Sequence, residues 1–217
     1  MTGDRWRRGS IARGALKGLL IVVLSLAGLV VAGYALSKWS PSWWGDPVAR
    51  RSDASANERA RDLEQHLASA VHRIRDEGEP WAIRIRADDL NDWLAARLAE
   101  WTAHDPAFAW PIEGAIGQVH FQSGEAVLGL SIDGRVWSGA FALVVEPDRI
   151  RIQPGSAAVG RMPLPVGAEL IMKLLEGNAA SALTLPRVYP LGDGRRIEVR
   201  RIDLVDGAIE LELTTLR

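Results

Sequence analysis

The longest apolar run of the chain lies close to its N-terminus. Residues 19–36 read LLIVVLSLAGLVVAGYAL, 18 residues without a charge. A helix of this length spans roughly 27 Å, close to the hydrocarbon thickness of about 30 Å of a bilayer. The run therefore predicts a single transmembrane helix over residues 19–38.

The residues on either side of this run predict its orientation. Cations dominate the N-terminal side, where Asp4 is the single acidic residue beside Arg5, Arg7, Arg8, Arg13 and Lys17. Such an excess marks the cytoplasmic side of a membrane segment. Aromatic rings that settle at headgroup level follow the run, which assigns a membrane-interface role to Trp39, Trp43 and Trp44. We expect a single-pass protein of the cell membrane, with its N-terminus inside and its main domain extracytoplasmic.

A cleaved signal peptide is an alternative interpretation of the same segment. Its apolar region usually measures about 7–15 residues and ends in small residues, and Gly33 and Ala35 fit such a cleavage site. The length of the run and the tryptophans after it favour a retained anchor. The basic flank argues against a buried helix of a soluble domain.

Changes in composition divide the rest of the chain. Residues 1–18 form a basic cytoplasmic tail, and residues 39–54, which mix proline, glycine and charge, predict a juxtamembrane stalk. Residues 55–217 form the extracytoplasmic domain. It begins with an amphipathic helix over 55–76, whose apolar stripe includes Leu63, Leu67 and Ile74.

A strand passes directly into a helix in the segment WAIRIRADDLNDWL, residues 81–94. Trp81, Ile83 and Ile85 alternate with polar or small residues, as in a strand with one buried face. The helix that follows carries its apolar stripe on Leu90, Trp93, Leu94, Leu98 and Trp101. Asp88, Asp89 and Asp92 could form a metal cluster, but the favourable charge of a helix start explains the first two without a ligand. Residues 102–116 predict a loop.

Alternation and turn residues predict an antiparallel meander after residue 117. Two-residue turns at 123–124, 133–134 and 147–148 place Phe121 opposite Ala126, and Leu130 opposite Trp137. They also place Val145 opposite Ile150, and Leu143 opposite Ile152. One face then becomes wholly apolar, and the opposite face carries small residues such as Gly129, Ser138 and Ala140.

The C-terminal part predicts a helix over 166–176 and a last hairpin. The helix carries Leu170, Ile171, Leu174 and Leu175. The hairpin turns at 206–207 and pairs Leu204 with Ile209, Ile202 with Leu211, and Arg201 with Glu212. A bulge at 200–201 is needed to bring Val199 opposite Leu213 on the buried face. The predicted fold class is α+β, an N-terminal transmembrane helix followed by a curved antiparallel meander sheet packed on two or three helices.

Composition limits the chemistry. Cysteine is absent, and residues 46–217 hold 20 Lys and Arg against 26 Asp and Glu, which disfavours nucleic acid as a partner. The chain has no G-x-S-x-G, no H-E-x-x-H and no phosphate-binding glycine loop. His66 and His72 are six positions apart and do not share a helix face, so no metal site is expected. We therefore expect no cofactor and no enzymatic activity.

Four segments carry a resemblance to known proteins: IRADDLNDWLAARL, the meander, VGRMPLPVGAELIMKLLEG and IEVRRIDLVDGAIELEL. In element order, residues 80–215 resemble the YpmS-like and LmeA-like families of small envelope proteins, which are similar in outline to tubular lipid-binding domains. The chain departs from these families at Arg86, where they often have a capping Thr, and by the helix at 55–76. The resemblance implies a curved sheet wrapped on helices around an elongated apolar groove that accepts an acyl chain.

Two functions follow from these observations. The first is a membrane-anchored domain that binds lipid or another apolar ligand in a groove between sheet and helices. Its predicted ligand-binding residues are Leu128, Leu130, Trp137, Phe141, Leu143, Val145, Ile150, Leu170 and Leu174. The alternative is an envelope scaffold or assembly protein that binds a protein partner. An ordinary core without a cavity also explains the apolar face, and a cavity distinguishes a carrier from a scaffold.

Overall fold

The structure is a computed structural model that describes residues 23–104, 117–168 and 184–217. Its helices are α1 (23–38), α2 (Pro47–Ser52), α3 (Ala54–His72), α4 (Ala87–Ala96) and α5 (Leu98–His104). Its strands are β1 (Pro80–Arg86), β2 (Gly117–Gln122), β3 (Glu125–Ile132), β4 (Arg135–Val145), β5 (Arg149–Val159), β6 (Met162–Gly167), β7 (Thr184–Pro186), β8 (Val188–Pro190), β9 (Arg196–Val205) and β10 (Ala208–Leu216). The α+β class is confirmed.

Several predicted segments lie wholly or partly outside these ranges. The basic tail 1–18, residues 19–22 of the predicted transmembrane segment and residues 105–116 of the predicted loop are outside the described residues. So are Leu170 and Leu174. The helix predicted from residue 166 is wrong at its start, because residues 166 and 167 continue β6 and Ala168 donates its N–H to Gly155 O.

The described part of the N-terminal apolar segment is helical. Among the described residues, no helix combines the length and the hydropathy that crossing a bilayer requires. Along α1, residues 23–32 are exposed on every side, and Ser37 near its end is buried.

Strands β2 to β6 form an antiparallel meander, which we call the central sheet, and β7 also pairs with β5. The predicted register of its hairpins is confirmed. Phe121 lies opposite Ala126, Leu130 opposite Trp137, and both Val145–Ile150 and Leu143–Ile152 are pairs. The alternation of side chains therefore gives this sheet one apolar face, and a small-residue face that carries Gly129, Ser138 and Ala140.

The described strands form two sheets, whereas the predicted fold had a single curved meander sheet. The terminal sheet has the order β1-β10-β9-β8, so the first strand of the domain pairs with the last. The last hairpin has the predicted register, and a bulge places Val199 opposite Leu213. The extra residue of this bulge shifts the alternation of side chains along β9 by one position. Ile83, Val199 and Leu213 therefore share one buried face.

The two sheets pack through their apolar faces at one end of the central sheet. Ile83, Ile197, Val199 and Leu213 of the terminal sheet form one cluster with Ile150 of β5. Backbone bonds reinforce the junction, since Gly207 donates to Phe121 O at 3.0 Å and Gly124 donates to Leu204 O at 2.9 Å. The terminal sheet therefore covers the central sheet near its 123–124 turn.

The helices differ from the prediction at two boundaries. Helix α3 ends at His72 instead of residue 76, because Arg73 is extended and the Arg75 guanidinium donates to Ala70 O. Ile74, assigned to the apolar stripe, is 86% exposed. The helix after β1 divides at Arg97 into α4 and α5.

Glu64 of α3 joins this divided helix to the rest of the domain. Its carboxylate accepts hydrogen bonds from the indole nitrogens of Trp93 at 2.8 Å and Trp101 at 3.2 Å, and from Arg97 at 3.4 Å. Partial burial acts to raise the pKa of Glu64, but these donors outweigh it and lower the pKa. The break at Arg97 lets both indoles turn toward one carboxylate.

Helix α4 also closes the edge of the central sheet. The buried side chain of Asn91 donates to Val119 O at 2.8 Å and accepts from Val119 N at 2.7 Å. The amide thus acts as a neighbouring strand would, and it satisfies a backbone edge that is otherwise open to another chain.

Asp92, the next residue, holds α2 and α3 on α4. Its carboxylate is 1% exposed and accepts from Arg50 at 2.8 Å and from Arg59 at 2.6 Å. The hydrogen bond to Asp92 raises the pKa of Arg59. A buried carboxylate stays charged only when such partners compensate its desolvation.

We expect Asp92→Asn to lower the free energy of unfolding by about 1.5–3 kcal/mol, because the amide replaces a buried carboxylate that accepts hydrogen bonds from two partly exposed guanidiniums. Chemical denaturation measures the change. Asp203→Asn is the matched control, since Asp203 pairs with Arg201 at the surface, and its loss costs about 0.5 kcal/mol or less. Equal losses in both variants would contradict the assignment.

Candidate functional site

The structure brings seven of the nine predicted ligand-binding residues onto one face of the central sheet. Leu130, Phe141 and Ile150 are buried there. The remaining four are half-buried: Leu128, Trp137, Leu143 and Val145. The hydrophobic alternation therefore identified a continuous face, and the contacts of its members decide how it can be used.

These seven residues divide into two groups along the strands. Leu143, Val145 and Ile150 contact the terminal sheet and belong to the core between the sheets. Leu128 and Phe141 pack with Ile152 and Ala168, and Leu130 and Trp137 pack with Ala157 and Leu164. We call Leu128, Leu130, Trp137 and Phe141 the anchor-end patch, for the reason given by the contacts of α1.

Helix α1 ends on the turn between β5 and β6. The N–H of Arg161 donates to Leu36 O at 2.9 Å, and the Arg161 side chain donates to Ser40 O at 3.0 Å. The backbone of Gly160 has φ +59°, and a Cβ there would lie 2.5 Å from Ser37 O and 2.7 Å from both Leu36 O and Trp39 O. Only glycine permits this approach. The helix thus joins the domain through direct backbone contact.

The segment after α1 lies on the small-residue face of the central sheet. Trp43 stacks on His120 with ring centroids 5.6 Å apart, and a Cβ at Gly129 would lie 2.6 Å from Trp43 and 2.8 Å from Trp44. The buried amide of Gln118 accepts from Gly45 N at 3.0 Å and donates to Gly45 O at 3.2 Å. Small residues on this face leave room for the two indoles.

The assignment of residues 39–54 to a stalk therefore needs correction. The segment folds onto the domain through these contacts and through α2, whose Arg50 reaches Asp92. Of the three tryptophans predicted at a membrane interface, Trp43 and Trp44 pack on the sheet. Trp39 is 59% exposed.

Part of the anchor-end patch, Leu130 and Trp137, lies at the end of the central sheet where α1 docks, and Leu128 and Phe141 lie near the middle of their strands. The β3–β4 turn at 133–134 and the β5–β6 turn at 160–161 share that end, because the meander is antiparallel. Leu130 and Trp137 are each the third residue from the first turn. The terminal sheet covers the apolar face at the opposite end, so Leu130 and Trp137 are the members of this face that lie at the α1 end.

A polar cleft of about 550 Å³ lies between α2, α3 and the start of α4. Its charged lining consists of Arg50, Arg59, Arg86, Asp53, Asp88, Asp89 and Asp92. Asp88 and Asp89 occupy the first turn of α4, as the helix-start interpretation requires, and Asp92 faces arginines. Within the described ranges, no group of three His, Cys, Asp or Glu residues is placed to hold a metal ion.

Sequence reasoning missed the residues that dock α1 and the segment after it, namely Gln118, Gly129, Gly160 and Arg161. One signal was present, since the face opposite the apolar one is made of small residues at alternate positions of β3 and β4. A run of small residues on a sheet face allows something large to approach closely. Nothing in the local pattern identified Trp43 and Trp44 as the side chains that do so.

Comparison of the chain with family models, with curated proteins and with solved structures finds no match. The geometry of the chain itself therefore supplies the functional argument.

We expect Gly160→Ala to release the end of α1 from the β5–β6 turn, because the added Cβ meets three backbone carbonyls that cannot move independently. Hydrogen–deuterium exchange at the Arg161 amide measures the release. Weakening this contact by about 1.4 kcal/mol raises the exchange rate about tenfold.

Gly194→Ala is the matched control for this substitution. Gly194 also has a positive φ, +87°, but a Cβ there would meet nothing within 4 Å. The Gly194→Ala substitution therefore strains the backbone without a steric clash. The hydrogen–deuterium exchange rate of the Arg161 amide should stay unchanged. Equal effects of the two alanines on exchange at Arg161 would indicate a general loss of stability and would contradict a local release at this turn.

Proposed function

We propose that the protein is a single-pass, membrane-anchored extracytoplasmic domain that binds the acyl chain of a membrane lipid on the anchor-end patch. The carrying observation is the shared position of two apolar features. The exposed apolar helix docks at the end of the central sheet where Leu130 and Trp137 of the patch lie.

The exposure of α1 supports attachment to a membrane. Its apolar side chains are 61% to 71% exposed at Leu24, Leu29, Val30 and Val31. No charged residue interrupts residues 23–36. Exposed apolar surface on this scale is unfavourable in water, and lipid tails remove that cost. The predicted segment 19–38 and the basic tail before it give the anchor its proposed orientation, with the domain outside.

The docked end of α1 supports a fixed orientation of the domain at the membrane. Leu36 O accepts from both Trp39 N and Arg161 N, and Gln118 pairs with both backbone groups of Gly45. A flexible stalk would let the domain turn freely. These bonds instead hold the end of the central sheet that carries the patch beside the anchor.

The chemistry of the patch supports a hydrocarbon ligand. Its four side chains are three hydrocarbons and one indole, and Leu128 and Trp137 are half-buried while Leu130 and Phe141 form the floor. From Trp137 to Phe141 the strand rises about 13 Å, the length of roughly ten methylene groups of an acyl chain. The proposed activity is binding, because no side chain of the patch ionises. The resemblance to YpmS-like and LmeA-like proteins suggests the same class of ligand.

Photocrosslinking of the full chain in lipid vesicles tests this proposal. A diazirine amino acid is placed at position 128, on the apolar face, or at position 127, the adjacent half-buried residue of β3 on the opposite face. A third site at Leu29 reports the anchor. We expect lipid adducts from positions 29 and 128 and none from position 127, read by mass spectrometry.

Each other pattern of lipid adducts leads to a different conclusion. Adducts at position 29 alone would leave the anchor in place and reject the lipid site, which favours the scaffold alternative. Absence of adducts at position 29 would reject membrane anchoring itself. Equal labelling of positions 127 and 128 would show that the probe reaches lipid without a specific face.

A further inference from the structure

We propose that Lys38, Arg135 and Arg161 form a binding site for the phosphate of an anionic phospholipid headgroup where the domain meets its anchor. This inference rests on the membrane attachment proposed above and names a lipid class that the attachment alone does not require.

Three separate elements bring these cations together around the end of α1. Lys38 is the last residue of α1, and its Nζ lies 4.6 Å from the centre of the Tyr34 ring. Arg135 follows the β3–β4 turn, and its guanidinium carbon lies 5.7 Å from the same ring. Arg161 lies in the turn between β5 and β6, and its guanidinium carbon lies 5.9 Å from the centre of the Trp39 ring.

No carboxylate in the described part of the chain forms an ion pair with any of these three cations. This contrasts with Arg50, Arg59, Arg84, Arg149 and Arg201, each of which has a partner. Asp133, in the β3–β4 turn, lies two residues before Arg135, and when its charge is counted with those of the three cations the net charge of the cluster is +2. Two cations over one tyrosine ring repel each other, and a bound anion removes that repulsion.

The surroundings of the cluster indicate which anion it meets. Tyr34 and Trp39 are 54% and 59% exposed, and aromatic rings of this kind lie at the headgroup level of a bilayer. Immediately before them, α1 is apolar and exposed. The three cations therefore stand at the depth of lipid phosphates, on a domain whose overall charge is negative. Phosphate attracts basic residues beside a membrane segment.

The test uses the full chain in nanodiscs that contain equal amounts of phosphatidylglycerol and phosphatidylcholine. Native mass spectrometry then measures which lipid stays bound when the disc is removed. We expect the wild-type chain to retain phosphatidylglycerol preferentially. Each charge beside the surface favours an anionic lipid about fivefold, so Arg135→Gln lowers the preference by about that factor and K38Q/R135Q/R161Q abolishes it.

Two controls separate this site from general charge and from folding. Arg84→Gln removes a cation that pairs with Glu210 on the terminal sheet, and it should leave the preference intact. The variant K38R/R135K/R161K keeps all three charges and should retain phosphatidylglycerol. Arg135 makes no hydrogen bond through its side chain among the described residues, so Arg135→Gln removes charge with little effect on packing.

The outcomes distinguish the two proposals. A chain that does not enter nanodiscs overturns the membrane attachment. A chain that enters them but retains both lipids equally overturns the headgroup site and leaves the attachment. Unchanged preference in K38Q/R135Q/R161Q, or an equal loss in Arg84→Gln, also overturns the site.

Discussion

The orientation of the whole domain depends on one backbone contact, the approach of the end of α1 to Gly160. Three carbonyls at the C-terminus of this helix face a residue without a side chain, and the next residue, Arg161, donates its N–H to one of them. The last carbonyls of a helix lack partners within the helix, so a turn of the domain supplies one. An exposed apolar helix thereby becomes a fixed part of the fold.

The central sheet uses its two faces for different purposes. Its small-residue face accepts Trp43 and Trp44, which hold the segment after α1 in place. Its apolar face packs on the terminal sheet at one end and presents Leu130 and Trp137 at the other. Because both arrangements follow from one alternation of side chains, a shift of register by one residue would exchange them.

Much of the local structure could be predicted from the sequence. Turn residues at 133–134 and 206–207, with hydrophobic alternation on both sides, sufficed to pair Leu130 with Trp137 and to place a bulge before Ile202. Long-range contacts could not be predicted in this way. The pairing of β1 with β10 joins residues more than 120 positions apart, and no local pattern distinguishes that partner from others. The packing of Trp43 and Trp44 on the sheet could not be predicted for a similar reason, since tryptophans after an apolar run also fit a membrane interface.

The central claim is that the anchor holds one end of the central sheet at the membrane surface. The chain has no cysteine, so Asp133→Cys and Asp148→Cys each allow a single label, at turns on opposite ends of β4. The strand separates them by about 35 Å. In vesicles that carry a quencher on their headgroups, we predict strong quenching of a fluorophore at position 133 and little at position 148. Equal quenching at both positions, or stronger quenching at 148, would contradict the account.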